Sequence, residues 1–275
     1  MSGVADREQV DAANAEFWNE PCGTALARSI GITAITPDTL AQFDDAYFEM
    51  YPYLRHYVDS LDLAGQRVLE IGVGYGTLGQ YIAERAASYA AVDIAEEPVG
   101  LLQQRLALVG RPGDRVVQGS ALDLPLPDQS VDVVVSIGCL HHTGDLQRAV
   151  SEVHRVLVPG GTALVMVYNR HSLRRIASAG RELLRRVSPR RDRGRADRDL
   201  LLRYDANALG EVAPHTDFVS LREAHNLFVA FSTVHVERRN FDAYVVARRF
   251  VLDRRWFLGW ADRLLGLDLY VSARR

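Results

Sequence analysis

Three glycines at alternate positions, Gly72, Gly74 and Gly76, follow the apolar run Val68-Leu69-Glu70-Ile71 and precede a stretch with helical spacing. A strand that passes through a glycine loop into a helix lets bare backbone approach a ligand and points helix N-terminal N–H groups at it. Asp93 ends the next apolar run. A carboxylate there can accept both hydroxyls of a ribose, so the pair specifies an adenosine-type cofactor without saying which. Gly74-Tyr75-Gly76-Thr77-Leu78-Gly79 satisfies the dinucleotide spacing G-x-G-x-x-G, but its register argues against a nicotinamide dinucleotide. In that fingerprint the first glycine follows the strand directly, and counted from Gly72 the third glycine position is Thr77. Glu70 inside the strand adds a negative charge from which a pyrophosphate gains nothing; a cationic sulfonium cofactor with a free ammonium group tolerates it better.

Other chemistries are thinly supported. All 32 basic residues are arginine, which removes Schiff-base lysines and a phosphate-binding lysine. The eight histidines show no metal-ligand spacing: His141 and His142 are adjacent, and neighbours at a strand end are expected to point apart. No metal is expected. Cys139 follows a strand without the Pro-Cys context of a pyrimidine-attacking nucleophile, and Pro21-Cys22 lies far from it.

The elements that position these residues are readable from periodicity. Residues 67–71, 89–93, 115–118, 131–137 and 162–168 read as buried strands, with helical segments at 77–87, 96–109 and 145–156 between them. Such alternation predicts a parallel sheet with helices on both faces. Residues 1–64 read as an N-terminal helical cap packed on the sheet's edge, rich in aromatics between Phe43 and Tyr57. Residues 65–169 form the cofactor-binding core, with Pro159-Gly160-Gly161 as a turn before its fifth strand. Residues 170–219 form an Arg-rich insertion, in which 172–187 is an amphipathic basic helix with Leu173 and Ile176 near the apolar face and Arg174 and Arg175 on the other. Residues 189–198 are a polar surface loop. Residues 220–275 complete the fold with a helix at 220–228 and strands at 232–237 and 267–273.

Taken in order, VLEIGVGYGT, AVDIAEE and GSALDLPLPDQSVDVVVSIGCLHHTGDLQRAVSEVHRVLVPGGTALV resemble the successive motifs of the class I S-adenosylmethionine (SAM) dependent methyltransferases. The likeness is to the bacterial small-molecule branch that includes quinone-biosynthesis enzymes, and it covers roughly residues 66–168. It implies a Rossmann-like α/β fold with a seven-stranded, mostly parallel sheet of order 3-2-1-4-5-7-6, the last strand antiparallel, and SAM as cofactor. The resemblance places Glu70, Gly72, Gly74 and Tyr75 around the methionine and ribose part, Asp93 on the ribose hydroxyls and Ile94 beside the adenine, with Gly138 also at the cofactor. The family's adenine-contacting Asp is replaced by Ser120, which leaves Ala121 and Leu122, or Asp123, to meet the ring. His141 or His142, emerging after the fourth strand, is the expected general base at the acceptor, because a neutral imidazole can take a hydroxyl proton near pH 7.

The expected activity is methyl transfer to a small-molecule acceptor, in the biosynthesis of a specialised metabolite. The alternatives are an NAD-dependent oxidoreductase, a nucleic-acid methyltransferase and a non-catalytic subunit with the same fold. With 48% hydrophobic and 24% charged residues among 275, the chain has the composition of a soluble globular protein. Its net charge of −3 disfavours a nucleic-acid binder. Eleven arginines in 170–198 could attract an anionic acceptor, and that segment is expected to form a lid over the site, its apolar stripe leaving a membrane-surface role as a lesser reading. A membrane partner is otherwise not expected, since no apolar run reaches the length of a span. Two cysteines and an acidic start without a leader suggest a cytoplasmic protein.

Overall fold

A computed structural model describes residues 2–20, 24–176, 205–207, 209–241, 244–246, 250–252 and 256–275. Four helices come first: α1 (Ser2–Phe17), α2 (Ala25–Ser29), α3 (Pro37–Met50) and α4 (Leu54–Asp59). α3 starts where Thr36 and Thr39 cap each other reciprocally and Pro37, which has no N–H to lose, occupies the first turn.

The sheet then alternates with helices: β1 (Arg67–Ile71), α5 (Thr77–Ala83), β2 (Ser88–Asp93), α6 (Glu96–Leu108), β3 (Arg115–Gln118), β4 (Val131–Ile137), α7 (Leu146–Val156) and β5 (Leu157–Asn169). β6 (Phe218–Val219) extends the end of β5, and α8 (Leu221–Leu227) leads to β7 (Thr233–Arg239). A separate hairpin, β8 (Tyr244–Val246) and β9 (Phe250–Leu252), precedes α9 (Asp262–Leu265) and β10 (Asp268–Arg274). The strand order is β3-β2-β1-β4-β5-β10-β7, with β10 antiparallel to both neighbours. Apart from the β6 extension, this is the 3-2-1-4-5-7-6 order expected.

Alternation along each strand divides the core between two faces. Leu69, Ile71, Val134, Val165 and Leu269 pack with α7 and α8 residues such as Val153 and Ala224 on one face. Val68, Val133, Val135, Met166 and Tyr270 pack on the other with Leu54 and Val58 of α4, Leu78 and Ile82 of α5 and Leu102 of α6.

Four local expectations are corrected. The aromatics around α3 and α4 do not keep to the sheet's edge. The Tyr57 hydroxyl donates to Glu237 of edge strand β7, but its ring stacks on Tyr270 of interior strand β10 at 4.9 Å, Tyr53 meets Tyr270 edge-on at 5.4 Å, and Phe43 stacks on Tyr75 of the glycine loop at 3.7 Å. Pro159-Gly160-Gly161 is a bulge inside β5: the pairing jumps from Val131 with Leu157 to Val133 with Thr162. Gly160 takes φ +81° there, and a Cβ on Gly161 would lie 2.9 Å from the Asp132 carbonyl oxygen. The start of the basic helix is turned over: Arg174 is buried and Ile176 half exposed, because the buried carboxylate of Asp205 attracts Arg174 inward, while Arg175 lies over the Phe218 ring at 3.8 Å. The rest of the helix at 172–187, the loop at 189–198 and therefore most of the expected lid lie outside the described residues. The two histidines do not point apart; they occupy a short 3₁₀ turn, Leu140–His142, with rings 4.2 Å apart.

Candidate active site

The three glycines occupy left-handed backbone, for separable reasons. Gly72 has φ +82° and no room for a side chain, since a Cβ would fall 2.3 Å from the Cβ of Cys139. Gly74 also has positive φ, but its side-chain position is empty space. Bare backbone therefore borders an opening at this point. Gly76 ends the loop in the left-handed region, immediately before α5.

Asp93, at the end of β2, shapes the loop from below. Its carboxylate accepts from the Val73 N–H at 2.7 Å and the Ala95 N–H at 2.9 Å. Burial raises its pKa above the ordinary Asp value, opposed by these backbone donors. Glu70, on the preceding strand, is buried too and accepts from the Tyr89 hydroxyl. Burial pushes its carboxyl up to about 8, and neighbouring Asp93 adds to the rise. Above the loop, Asp44 of α3 accepts from Thr77 Oγ1 at 2.6 Å and from the buried Arg105 guanidinium at 2.6 Å, tying α3 to α5 and α6.

Two adjoining cavities meet at this loop. The smaller, about 190 Å³, contains Asp93, Ile94, Ser120, Ala121, Cys139 and His142 in its wall. The larger, about 490 Å³, takes in Glu70, Tyr75, Tyr168, Asp205 and Phe241. Gly72, Gly74, Ile137, Gly138, Thr24 and Trp18 line both.

All but three of the residues expected at the site therefore lie in a cavity wall; the exposed Asp123 lines neither cavity. Leu122 lines neither cavity; it is packed in the core, with its N–H donating to Ser120 Oγ at 3.2 Å. His141 is also walled off, fully buried with its ring 4.1 Å from that of Tyr168. Burial and the nearby His142 hold its pKa well below the ordinary value.

His142 belongs to the smaller cavity. Its Nδ1 lies 2.8 Å from the His215 carbonyl oxygen, which can only accept, so Nδ1 carries a proton. Its Nε2 lies 3.9 Å from Asp205 Oδ1. Asp205 is buried, receives the Tyr168 hydroxyl at 2.8 Å, and keeps Oδ2 without a hydrogen-bond partner among the described residues. Burial raises its pKa, against the lowering effects of His142, Tyr168 and Arg174.

Sequence reasoning missed several lining residues. Asp205 follows an Arg-rich stretch with no periodicity, and Trp18 follows a helix whose polar and apolar residues show no clear face. Both are placed by long-range contacts: the Asn14 amide of α1 donates to the His142 carbonyl at 2.8 Å, and the Trp18 ring lies 5.1 Å from the His142 ring. Among the described residues no group of three or more metal-ligating side chains occurs.

Residues 69–165, which include the whole glycine loop, Asp93 and the turn that carries the histidines, match the family model described as a methyltransferase domain. This segment is similar to the SAM-dependent methyltransferases. A fatty-acid O-methyltransferase of Mycolicibacterium smegmatis is 36% identical over 36% of this chain and 36% of its own length. A demethylmenaquinone methyltransferase of Tropheryma whipplei is 32% identical over 46% of this chain and 52% of its own. The chain thus matches about half or less of these relatives' lengths. The crystal structure of a SAM-dependent methyltransferase from Thermotoga maritima superposes with a TM-score of 0.53 at 20% identity, covering 86% of this chain and 96% of that one. The likeness extends the shared fold well beyond the methyltransferase domain.

Proposed function

We propose that the protein transfers the methyl group of SAM to a small-molecule acceptor held in the larger cavity, as a step in the biosynthesis of a specialised metabolite. The observation that carries this reading is the junction of the two cavities over the exposed backbone of Gly74, with a ribose-type carboxylate on one side and an aromatic chamber on the other. SAM fits the donor set: Gly72 and Gly74 give close backbone approach, Asp93 offers its carboxylate to ribose hydroxyls, Ile94, Ser120 and Ala121 flank the adenine, and Glu70 faces the cationic end. SAM bound there supplies an electrophilic methyl group on a sulfonium.

The protein's part is to hold the acceptor in line, exclude water and take up a proton. Carboxylates, and no basic side chain, occur among the described residues of the larger cavity's wall. This favours a neutral acceptor over the anionic one that the arginines suggested. Of the groups able to receive its proton, Asp205 is better placed than either histidine. It lines the larger cavity, has one oxygen without a hydrogen-bond partner among the described residues, and has a raised pKa that makes its ionised form a stronger base. The fatty-acid and demethylmenaquinone enzymes named above support an acceptor with an apolar body, matched here by Phe43, Met50, Met166 and Phe241 in the wall.

Calorimetry with SAM and with NAD, followed by transfer from methyl-labelled SAM into a cell extract, tests the proposal. SAM binding with label recovered in the small-molecule fraction is the expected result. NAD binding, label in nucleic acid, or SAM binding without any transfer would each select one of the other classes and reject this one.

A further inference from the structure

Three large apolar side chains stand out of the surface close together in sequence: Trp256 is 77% exposed, Trp260 62% and Leu264 61%. We propose that this patch is a contact surface for anionic lipid membranes, seating the mouth of the larger cavity against the bilayer surface.

The segment is built to present these residues rather than bury them. Trp260 Nε1 donates to the Trp256 carbonyl at 3.1 Å, fixing one indole over the turn that carries the other. Asp262 is buried and accepts from the Gly259 N–H at 2.8 Å, so its charge is turned inward. The exposed charge on the described stretch 256–266 is that of Arg263, and in sequence Arg254 and Arg255 precede Trp256. Indoles flanked by arginines suit the headgroup boundary, where the ring is half in hydrocarbon and the guanidinium meets phosphate.

The patch is also joined to the site. Phe241 lines the larger cavity, stacks on Phe257 at 4.9 Å, and Phe257 lies 6.2 Å from Trp260. An aromatic path thus runs from the cavity wall to the exposed indoles. A second copy of the chain is the competing occupant, but three side chains expose roughly 400 Å² in all, against about 800 Å² per partner for a standard protein interface. The sequence expectation allowed a membrane-surface role only to the basic helix at 172–187 and otherwise set membranes aside for want of a span. Among the described residues no helix is long and apolar enough to cross one, but a surface contact needs none.

The test is co-sedimentation of the full chain with vesicles of phosphatidylcholine alone and of phosphatidylcholine mixed with phosphatidylglycerol, at low and high salt. Expected is reversible binding to the mixed vesicles that weakens with salt. It should fall at least about tenfold in a Trp256→Ser, Trp260→Ser, Leu264→Ser triple variant, and Arg263→Glu should remove the preference for the anionic lipid. Circular dichroism and SAM affinity confirm that each variant is folded. Wild-type protein left in the supernatant with both vesicle types, or a triple variant that sediments like wild type, overturns the proposal. So does sedimentation velocity showing a wild-type dimer that the triple variant abolishes, which would make the face an interface between copies. None of these readouts depends on methyl transfer.

Discussion

Gly72 and Cys139 are packed so closely that a methyl group on the glycine would lie 2.3 Å from the cysteine Cβ. This contact joins the glycine loop after β1 to the turn after β4. Gly72→Ala should cost about 3 kcal/mol, combining overpacking with a strained positive φ, and should abolish SAM binding. Cys139→Ala should not rescue it, because the offending atom is Cβ itself; Cys139→Gly should restore part of the stability. Cys139→Ala alone should retain turnover, as expected of a thiol whose pKa is pushed up by burial. Urea denaturation of the single and double variants measures the stabilities, calorimetry the loss of SAM binding, and a steady-state assay the turnover of Cys139→Ala.

The buried Glu70 carboxyl gives stability a distinctive pH dependence. Its pKa is about 8 in the folded protein against 4.5 when unperturbed, so across that interval the folded state binds the extra proton. Its contribution to stability is full below about pH 4.5, declines as pH rises to about 8, and is flat beyond. Glu70→Gln should remove this decline from a plot of denaturation midpoint against pH. In the wild type, SAM affinity should rise towards pH 8 as the carboxylate ionises opposite the cationic ligand, and an affinity independent of pH would dissociate Glu70 from the cofactor.

Asp93→Ala should weaken SAM roughly 10- to 100-fold, the equivalent of about 1.5–3 kcal/mol for a charged hydrogen-bond acceptor. Because the same carboxylate holds the Val73 and Ala95 N–H groups, the variant should lose thermal stability as well. A dissociation constant unchanged from wild type in calorimetry would remove Asp93 from the site.

For the proton-accepting step, Asp205→Asn should reduce turnover by about 10²- to 10⁴-fold while SAM affinity stays near wild type. His142→Gln should have a smaller effect, through its contact with Asp205. His141→Gln should act mainly on stability, since that ring is sealed in the core. Should His141→Gln or His142→Gln instead cause the larger loss in steady-state assays, the histidine base expected from sequence would be favoured.

How far the sequence could be read follows from the range of the interactions involved. The glycine loop, Asp93 and the strand-helix alternation are local patterns, written in residues that are near neighbours, and they yielded the order of the sheet. Asp205 and Trp18 carry no such pattern, because what brings them to the cavities is a hydroxyl on β5 and an asparagine that reaches a carbonyl 128 positions away. The bulge at Gly160 escaped for a related reason: Pro-Gly-Gly signals a turn, and only the partner strand β4 shows that the chain continues in the sheet. Arg174 looked like a solvent-facing charge until its buried partner was placed.

The position of Trp18 in the walls of both cavities makes the protein its own optical probe. The chain has three tryptophans, and the other two are the exposed Trp256 and Trp260. Replacing those two with phenylalanine leaves one indole, shared by both chambers, whose emission should respond to the filling of either. With that single fluorophore, the order in which cofactor and acceptor enter can be followed by rapid mixing without labelling either ligand.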